Sequence, residues 1–235
     1  MSIHPIRQFL QKSVQVFSDL GFEVYQGPEI ESEWYNFDSL RMFADHPARD
    51  IQDTFWLRDG RVLRTHTSAA QVRLMENLKP PVRILVPGRV FRHEAIDATH
   101  EANFYQLEGF AIDKNINMAD LIGTLDYFMR KMYGKEIKTR VRPGYFPFTE
   151  PSMEMDIMTS NSKEWREILG SGMIHPGVLK NMLKGNETEA GPPAGGWQGF
   201  AFGMGLDRLM MVAFGVDDIR QSYSGDLRFL KQFGG

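Results

Sequence analysis

Gly88-Arg-Val-Phe-Arg-His-Glu94, followed by His100-Glu-Ala-Asn-Phe104-Tyr-Gln-Leu-Glu108, is the stretch that decides the fold. The apolar run 82–86 reads as a strand that residues 88–92 continue, and residues 103–112 read as its returning partner. The polar residues 93–102 between them form a long hairpin loop. Arg92 stands two residues before Glu94, and the aromatic Phe104 lies on the returning strand. This layout suits a nucleotide. Arg92 offers a planar fork of donors to a phosphate. Glu94 can accept from an amino group or orient the arginine, and Phe104 can stack on a purine. Taken alone, the segment also fits a plain hairpin with a surface salt bridge.

Outward from this hairpin, helices and strands follow in an order that narrows the architecture. Ile3, Ile6, Leu10, Val14, Phe17 and Leu20 recur at helical spacing, with Gly21 as the cap. Residues 22–25 read as a strand, residues 34–44 as helical, and Thr67 or Ser68 as the cap of a helix reaching about Leu78. Residues 118–133 predict a helix with Leu121, Leu125, Phe128 and Met132 on one face, ended by Gly134. Strands are predicted at 137–142, 152–159, 164–172 and 200–203, and helices at 176–183 and 206–214. Residues 184–196 read as a surface loop within the domain. Several strands come consecutively without intervening helices. That predicts an α+β fold with a largely antiparallel β-sheet flanked by helices, in one domain over 1–235.

A second chemical segment is Gly199-Phe-Ala-Phe-Gly203-Met-Gly205-Leu-Asp-Arg208. Gly203 and Gly205 keep side chains off a strand-to-helix junction, and Arg208 falls in the first turn of the helix, where anions are favoured. By itself it also fits a glycine-rich turn with an arginine paired to Asp207.

Composition excludes several classes. There is no cysteine, which removes disulfides, thiolate metal sites and cysteine nucleophiles. No apolar run is long enough to span a membrane, and no signal peptide is apparent, which suits the cytoplasm. The net charge of -3 argues against a chain that holds nucleic acid unaided.

Together the two segments resemble motifs 2 and 3 of class II aminoacyl-tRNA synthetases. The helix at 3–20, Gly21-Phe22 and Pro28 resemble motif 1. Asn36-Phe-Asp38, His46-Pro-Ala-Arg49, Asp53-Thr-Phe-Trp56, Leu63-Arg-Thr-His66-Thr-Ser68, Gln106-Leu-Glu-Gly109, Tyr145-Phe-Pro-Phe-Thr-Glu-Pro-Ser152 and Gly172-Met-Ile-His-Pro176 narrow this further. They resemble the bacterial-type phenylalanyl-tRNA synthetase α subunit, over residues 3–233. The resemblance implies ATP and Mg²⁺ as cofactors, and phenylalanine and tRNA(Phe) as substrates. It also implies a β subunit in an (αβ)₂ assembly, or a homodimer if the chain stands alone.

The resemblance assigns roles. Arg92 and Arg208 are the catalytic arginines. They grip ATP phosphates with Glu94, His100, Phe104, Gly203 and Gly205 around the nucleotide. Phe146 and Phe148 resemble the edge-to-face wall that receives the substrate ring, both facing one pocket as alternate residues of a strand. Ala201 resembles the pocket floor, and Trp56 its closure. His66, Ser68, Gln106 and Glu108 resemble the polar set around the amino acid's ammonium and carboxylate. Glu154 and Asp156 alternate on a predicted strand and are candidate Mg²⁺ ligands. Against the family pattern, the helix at 3–20 leaves no room ahead of it for the N-terminal tRNA-binding helical arm, as expected of either a shortened chain or a reduced, stand-alone form; Ser171 stands where the family often has cysteine, and the loop at 184–196 is longer. A synthetase-like protein without catalysis, or an adenylate-forming enzyme with a non-tRNA acceptor, are the competing readings.

Overall fold

The computed structural model describes residues 4–44, 54–93, 95–159, 164–183 and 196–233. Glu94, His46 to Arg49, Asp53, Ile3 and the loop 184–195 therefore lie outside the described residues.

Helix α1 (Pro5–Ser18) starts at a proline, with the His4 ring accepting from the Ile6 amide. Short strands β1 (Glu23–Val24) and β2 (Ile30–Glu31) follow. The expected helix at 34–44 is instead α2 (Glu33–Asn36) and a 3-10 turn at Asp38–Leu40. It ends because Arg41 adopts the left-handed conformation at φ 66°. Then come β3 (Val62–Leu63), α3 (Ala69–Met75), β4 (Val82–Phe91) and β5 (Asn103–Asp113). Helix α4 (Met118–Tyr133) opens on a capping box between Asn117 and Asp120 and closes on Gly134. The remaining elements are β6 (Lys138–Phe146), β7 (Thr149–Met158), β8 (Arg166–Ile174), α5 (Pro176–Met182), β9 (Gln198–Gly205), α6 (Leu206–Phe214), α7 (Arg220–Tyr223) and α8 (Leu227–Lys231).

Seven strands form one sheet in the order β1-β4-β5-β9-β8-β7-β6. Only β1 and β4 run parallel. All other neighbours in this sheet are antiparallel, as the run of consecutive strands predicts. Successive side chains on a strand point to opposite faces, so the sheet builds two cores. Leu85, Leu107, Met155, Phe202 and Met204 pack on one face against Phe9 and Phe17 of α1, Leu121, Leu125 and Phe128 of α4, and Leu209 of α6. Ile84, Val86, Phe110, Ile112 and Ala201 pack on the other against α3 and α5. The buried stripe of α1 is Ile6, Phe9, Ser13, Val16 and Phe17, while Leu10, Val14 and Leu20 of the expected stripe are only partly buried. No helix among the described residues is long and apolar enough to cross a membrane.

Candidate active site

The second face of the sheet carries the site, because its central strands present little bulk there. Register sets Gly203 of β9 between Glu108 of β5 and Gly170 of β8. A Cβ on Gly203 would lie 3.1 Å from the Glu108 side chain, and one on Gly170 would lie 2.4 Å from the Phe146 ring. Glycine at these two positions lets a carboxylate and an aromatic ring lie along the strands. Two adjoining cavities result, sharing Arg92, Gln106, Phe146, Gly170 and Gly203 as common wall.

The first cavity, of about 230 Å³, has a polar end and an apolar end. At the polar end lie His66, Ser68, Gln106, Glu108 and Arg92; the apolar end carries Phe146, Phe148 and Ala201. Glu108 is buried, and burial pushes its carboxyl up to about 7 despite bonds from Ser68 and Thr67 and the pull of Arg92. The Thr67 amide donates to Glu108 Oε1 at 3.2 Å, and the Ser68 hydroxyl donates to Oε2. Ser68 sits at the start of α3 but makes no capping bond, so the expected cap is a carboxylate partner instead. His66 is buried and held neutral, its pKa pushed down to about 3 by desolvation and by Arg92. Both His66 ring nitrogens, Thr67 Oγ1 and Gln106 Oε1 are buried without a hydrogen-bond partner. Buried polar atoms are almost always paired, so this cluster of unpaired atoms marks a ligand position.

Phe146 ends β6, and Phe148 follows it in the turn to β7. The two therefore face one cavity across a hairpin turn and not as alternate residues of one strand. Their rings lie near parallel, 6.0 Å apart between centroids at 21°, which is not an edge-to-face pair. Trp56 does not line the cavity. It pairs with Val62 in an isolated bridge and packs its half-exposed ring near Phe37.

The second cavity is lined by Arg92, His100, Phe104, Gly203, Gly205 and Arg208, with Glu101 and Glu167 on its wall. Arg92 stands one residue beyond β4. Its amide donates to Ala102 O at 2.9 Å, and its Nε donates to Thr65 O at 3.2 Å. Its guanidinium lies 5.1 Å from the centre of the Phe104 ring. Arg208 is exposed in the first turn of α6. It is not paired to Asp207, which instead accepts from the Tyr105 amide at 2.6 Å and the Tyr223 hydroxyl at 2.7 Å. These two hydrogen bonds tie the junction between β9 and α6 to β5 and α7. His100 is exposed, its ring 3.0 Å from Asp97 in the tip of the hairpin.

The expected metal ligands lie elsewhere. Glu154 and Asp156 line neither cavity. Asp156 is buried and accepts from both Arg140 and Arg142, and Arg142 also pairs with Glu154 at 3.0 Å. Alternation on β7 does aim both carboxylates to one side, but the neighbouring strand β6 supplies the cations. Among the described residues no three His, Cys, Asp or Glu side chains group as a metal cage. A Mg²⁺ ion bound to a triphosphate needs only one or two protein carboxylates; besides Asp207 the acids of this wall are Glu101 and Glu167, and Glu167 also accepts from Arg142 at 3.3 Å. Neither was legible from the sequence. Glu167 stands on β8 and Glu101 beside His100, and only the pairing of strands brings them to Arg208.

A largely antiparallel sheet with a hairpin arginine, a strand-to-helix arginine and two adjoining cavities between them has the architecture of a class II aminoacyl-tRNA synthetase core. The family described as "tRNA synthetases class II core domain (F)" matches residues 1–233. The fold is similar to that of pyrrolysyl-tRNA synthetase from Desulfitobacterium hafniense, with a TM-score of 0.68 at 16% identity over 94% of this chain and 74% of that one. The chain is 49% identical over 242 residues to the phenylalanine--tRNA ligase alpha subunit of Leptospira biflexa, covering 99% of this chain and 69% of that protein. It is 48% identical over 240 residues to the subunit of the same name from Clostridium kluyveri, covering 98% and 68%. The chain belongs to the phenylalanine--tRNA ligase alpha subunit family.

Proposed function

We propose that this chain activates phenylalanine with ATP and passes the acyl group to tRNA(Phe). The observation that carries the reading is the set of unpaired buried polar atoms of His66 and Gln106 beside the buried Glu108 carboxyl, at one end of a cavity whose other end is aromatic. A zwitterionic aromatic amino acid satisfies both ends. Its ammonium donates to Glu108 and to Gln106 Oε1, its carboxylate accepts from the His66 ring N–H and from Arg92, and its ring enters between Phe146, Phe148 and Ala201.

ATP occupies the second cavity. Phe104 offers its ring to the adenine, and Gly203 and Gly205 admit the nucleotide against the strand. Because Arg92 belongs to both cavities, it stands where carboxylate and α-phosphate meet. One carboxylate oxygen forms a bond to the α-phosphorus while the bond to the bridging oxygen of the leaving pyrophosphate breaks. Arg92 stabilises the charge that develops on the α-phosphate oxygens, and Arg208 with His100 stabilises the pyrophosphate. Mg²⁺ arriving with the nucleotide would supply charge neutralisation on the phosphates, and Glu101 and Glu167 are the residues that would hold it. The adenylate then gives its acyl group to the 3′-terminal ribose of the tRNA, with a β subunit as partner, in the cytoplasm.

Pyrophosphate exchange tests the first step. The wild-type chain should show phenylalanine-dependent exchange. Arg92→Ala and Arg208→Ala should each lower it by about 100-fold or more, as loss of a transition-state donor does. Exchange that survives both changes unaltered would overturn the assignment.

A further inference from the structure

The apolar end of the first cavity has a further wall besides Phe146, Phe148 and Ala201. Met42 lines this cavity and is fully buried. It belongs to the same apolar cluster as Ala201, and Phe148 packs against that cluster, so it stands with the apolar lining of the cavity. Phe37 and Leu40 of the same turn are as deeply buried but do not reach the cavity.

The backbone explains why Met42 alone does so. Arg41 is the one non-glycine residue with positive φ among the described residues. An arginine adopts that conformation rarely, because its Cβ crowds the backbone there. Here the conformation reverses the chain after the 3-10 turn. The Met42 amide then donates back to Phe37 O at 3.1 Å, and Arg41 donates to Asp38 O at 3.0 Å. The turn delivers the Met42 side chain to the sheet face that carries Ala201. Methionine is unbranched and adaptable, so it closes a pocket while yielding to its contents.

We infer that Met42 is a specificity-determining residue: with Ala201 it closes the ring end of the amino-acid cavity, and its length sets the largest ring substituent accepted. The inference rests on the phenylalanine reading of this cavity. Met42→Ala removes every side-chain atom beyond Cβ and should open space there. One methylene in an apolar pocket changes discrimination by about 10-fold or more. In pyrophosphate exchange, the ratio of kcat/KM for para-methyl-, meta-methyl- or para-chloro-phenylalanine to that for phenylalanine should therefore rise at least about 10-fold for one of them. The KM for ATP should stay within about twofold. Met42→Val, a smaller truncation, should move the same ratio in the same direction and serves if the alanine variant fails to fold. A thermal melt establishes folding in each case. A folded variant whose three ratios all stay within twofold of wild type would show Met42 to be packing only and overturn the inference. A wild-type chain with no phenylalanine-dependent exchange would overturn the substrate reading instead.

Discussion

Glu108 is a buried carboxyl whose direct hydrogen-bond donors, Ser68 and Thr67, are both neutral. Desolvation outweighs these bonds and raises its pKa to about 7. An ammonium group entering the cavity needs the ionised form. Phenylalanine binding should therefore weaken by about tenfold as pH falls from 8 to 6, and a proton should be released on binding near pH 7. Calorimetry in two buffers of different ionisation enthalpy measures both. Glu108→Gln should abolish the proton release and most of the affinity. Stability moves the opposite way. With the folded pKa raised above its unfolded value, the native state holds the extra proton between about 4.5 and 7, so this group's contribution declines as pH rises through that window. By that sign, Glu108→Gln should be more stable than wild type at pH 8, by on the order of 3 kcal/mol at most, and should melt higher. A variant that binds phenylalanine normally, or a pH-independent affinity, would remove Glu108 from the ammonium site. The residue itself was legible in the sequence only through the family pattern around Gln106-Leu-Glu108. Its titration was not, because a one-dimensional string carries no desolvation.

The element scale decides what the sheet does with its charges and where reading by strand pattern stops. The hairpin β4–β5, the junction β9–α6 and the helix α4 were legible because each carries strong periodicity and a turn or cap signal. The aromatic pair was legible as a pair, but its mounting on a hairpin turn was not. The pattern places Phe146 and Phe148 two apart without saying that β6 ends between them. The same blindness to neighbours misled the reading of β7. Alternation correctly puts Glu154 and Asp156 on one side, while the decisive fact is that Arg140 and Arg142 of β6 lie alongside. Two arginines on one buried acceptor make Asp156 the anchor that holds the sheet edge. Asp156→Asn should cost about 1–3 kcal/mol, since one buried acceptor charge is lost while both arginines remain half in water. The Mg²⁺ dependence of pyrophosphate exchange should be unchanged in this variant. A shift in the Mg²⁺ requirement, with the melting temperature unmoved, would restore Asp156 to the metal site.

At the scale of the whole molecule, two functions separate along lines that charge predicts. Adenylate formation needs only the two cavities, and every residue assigned to it except Glu94 lies among the described residues, on one sheet and on the turns and loops that join its strands and helices. Capture of a tRNA needs a surface that neutralises phosphates, and its affinity falls steeply with salt in proportion to the phosphates contacted. The chain carries 27 Lys and Arg against 30 Asp and Glu, a net charge of -3, and Arg73, Arg89, Arg140, Arg142 and Arg220 are paired with carboxylates within the fold. The expected outcome is that pyrophosphate exchange by this chain is indifferent to added tRNA. Its own tRNA affinity should be weak, on the order of 10 μM or poorer at 150 mM salt, with a shallow salt slope. Adding a β subunit should then raise the charging rate without raising exchange. Filter binding at 50 and 200 mM salt, beside exchange and charging assays on the same preparation, measures all three quantities. Tight, steeply salt-dependent binding by this chain alone would mean that its phosphate contacts come from a basic surface that the net charge conceals.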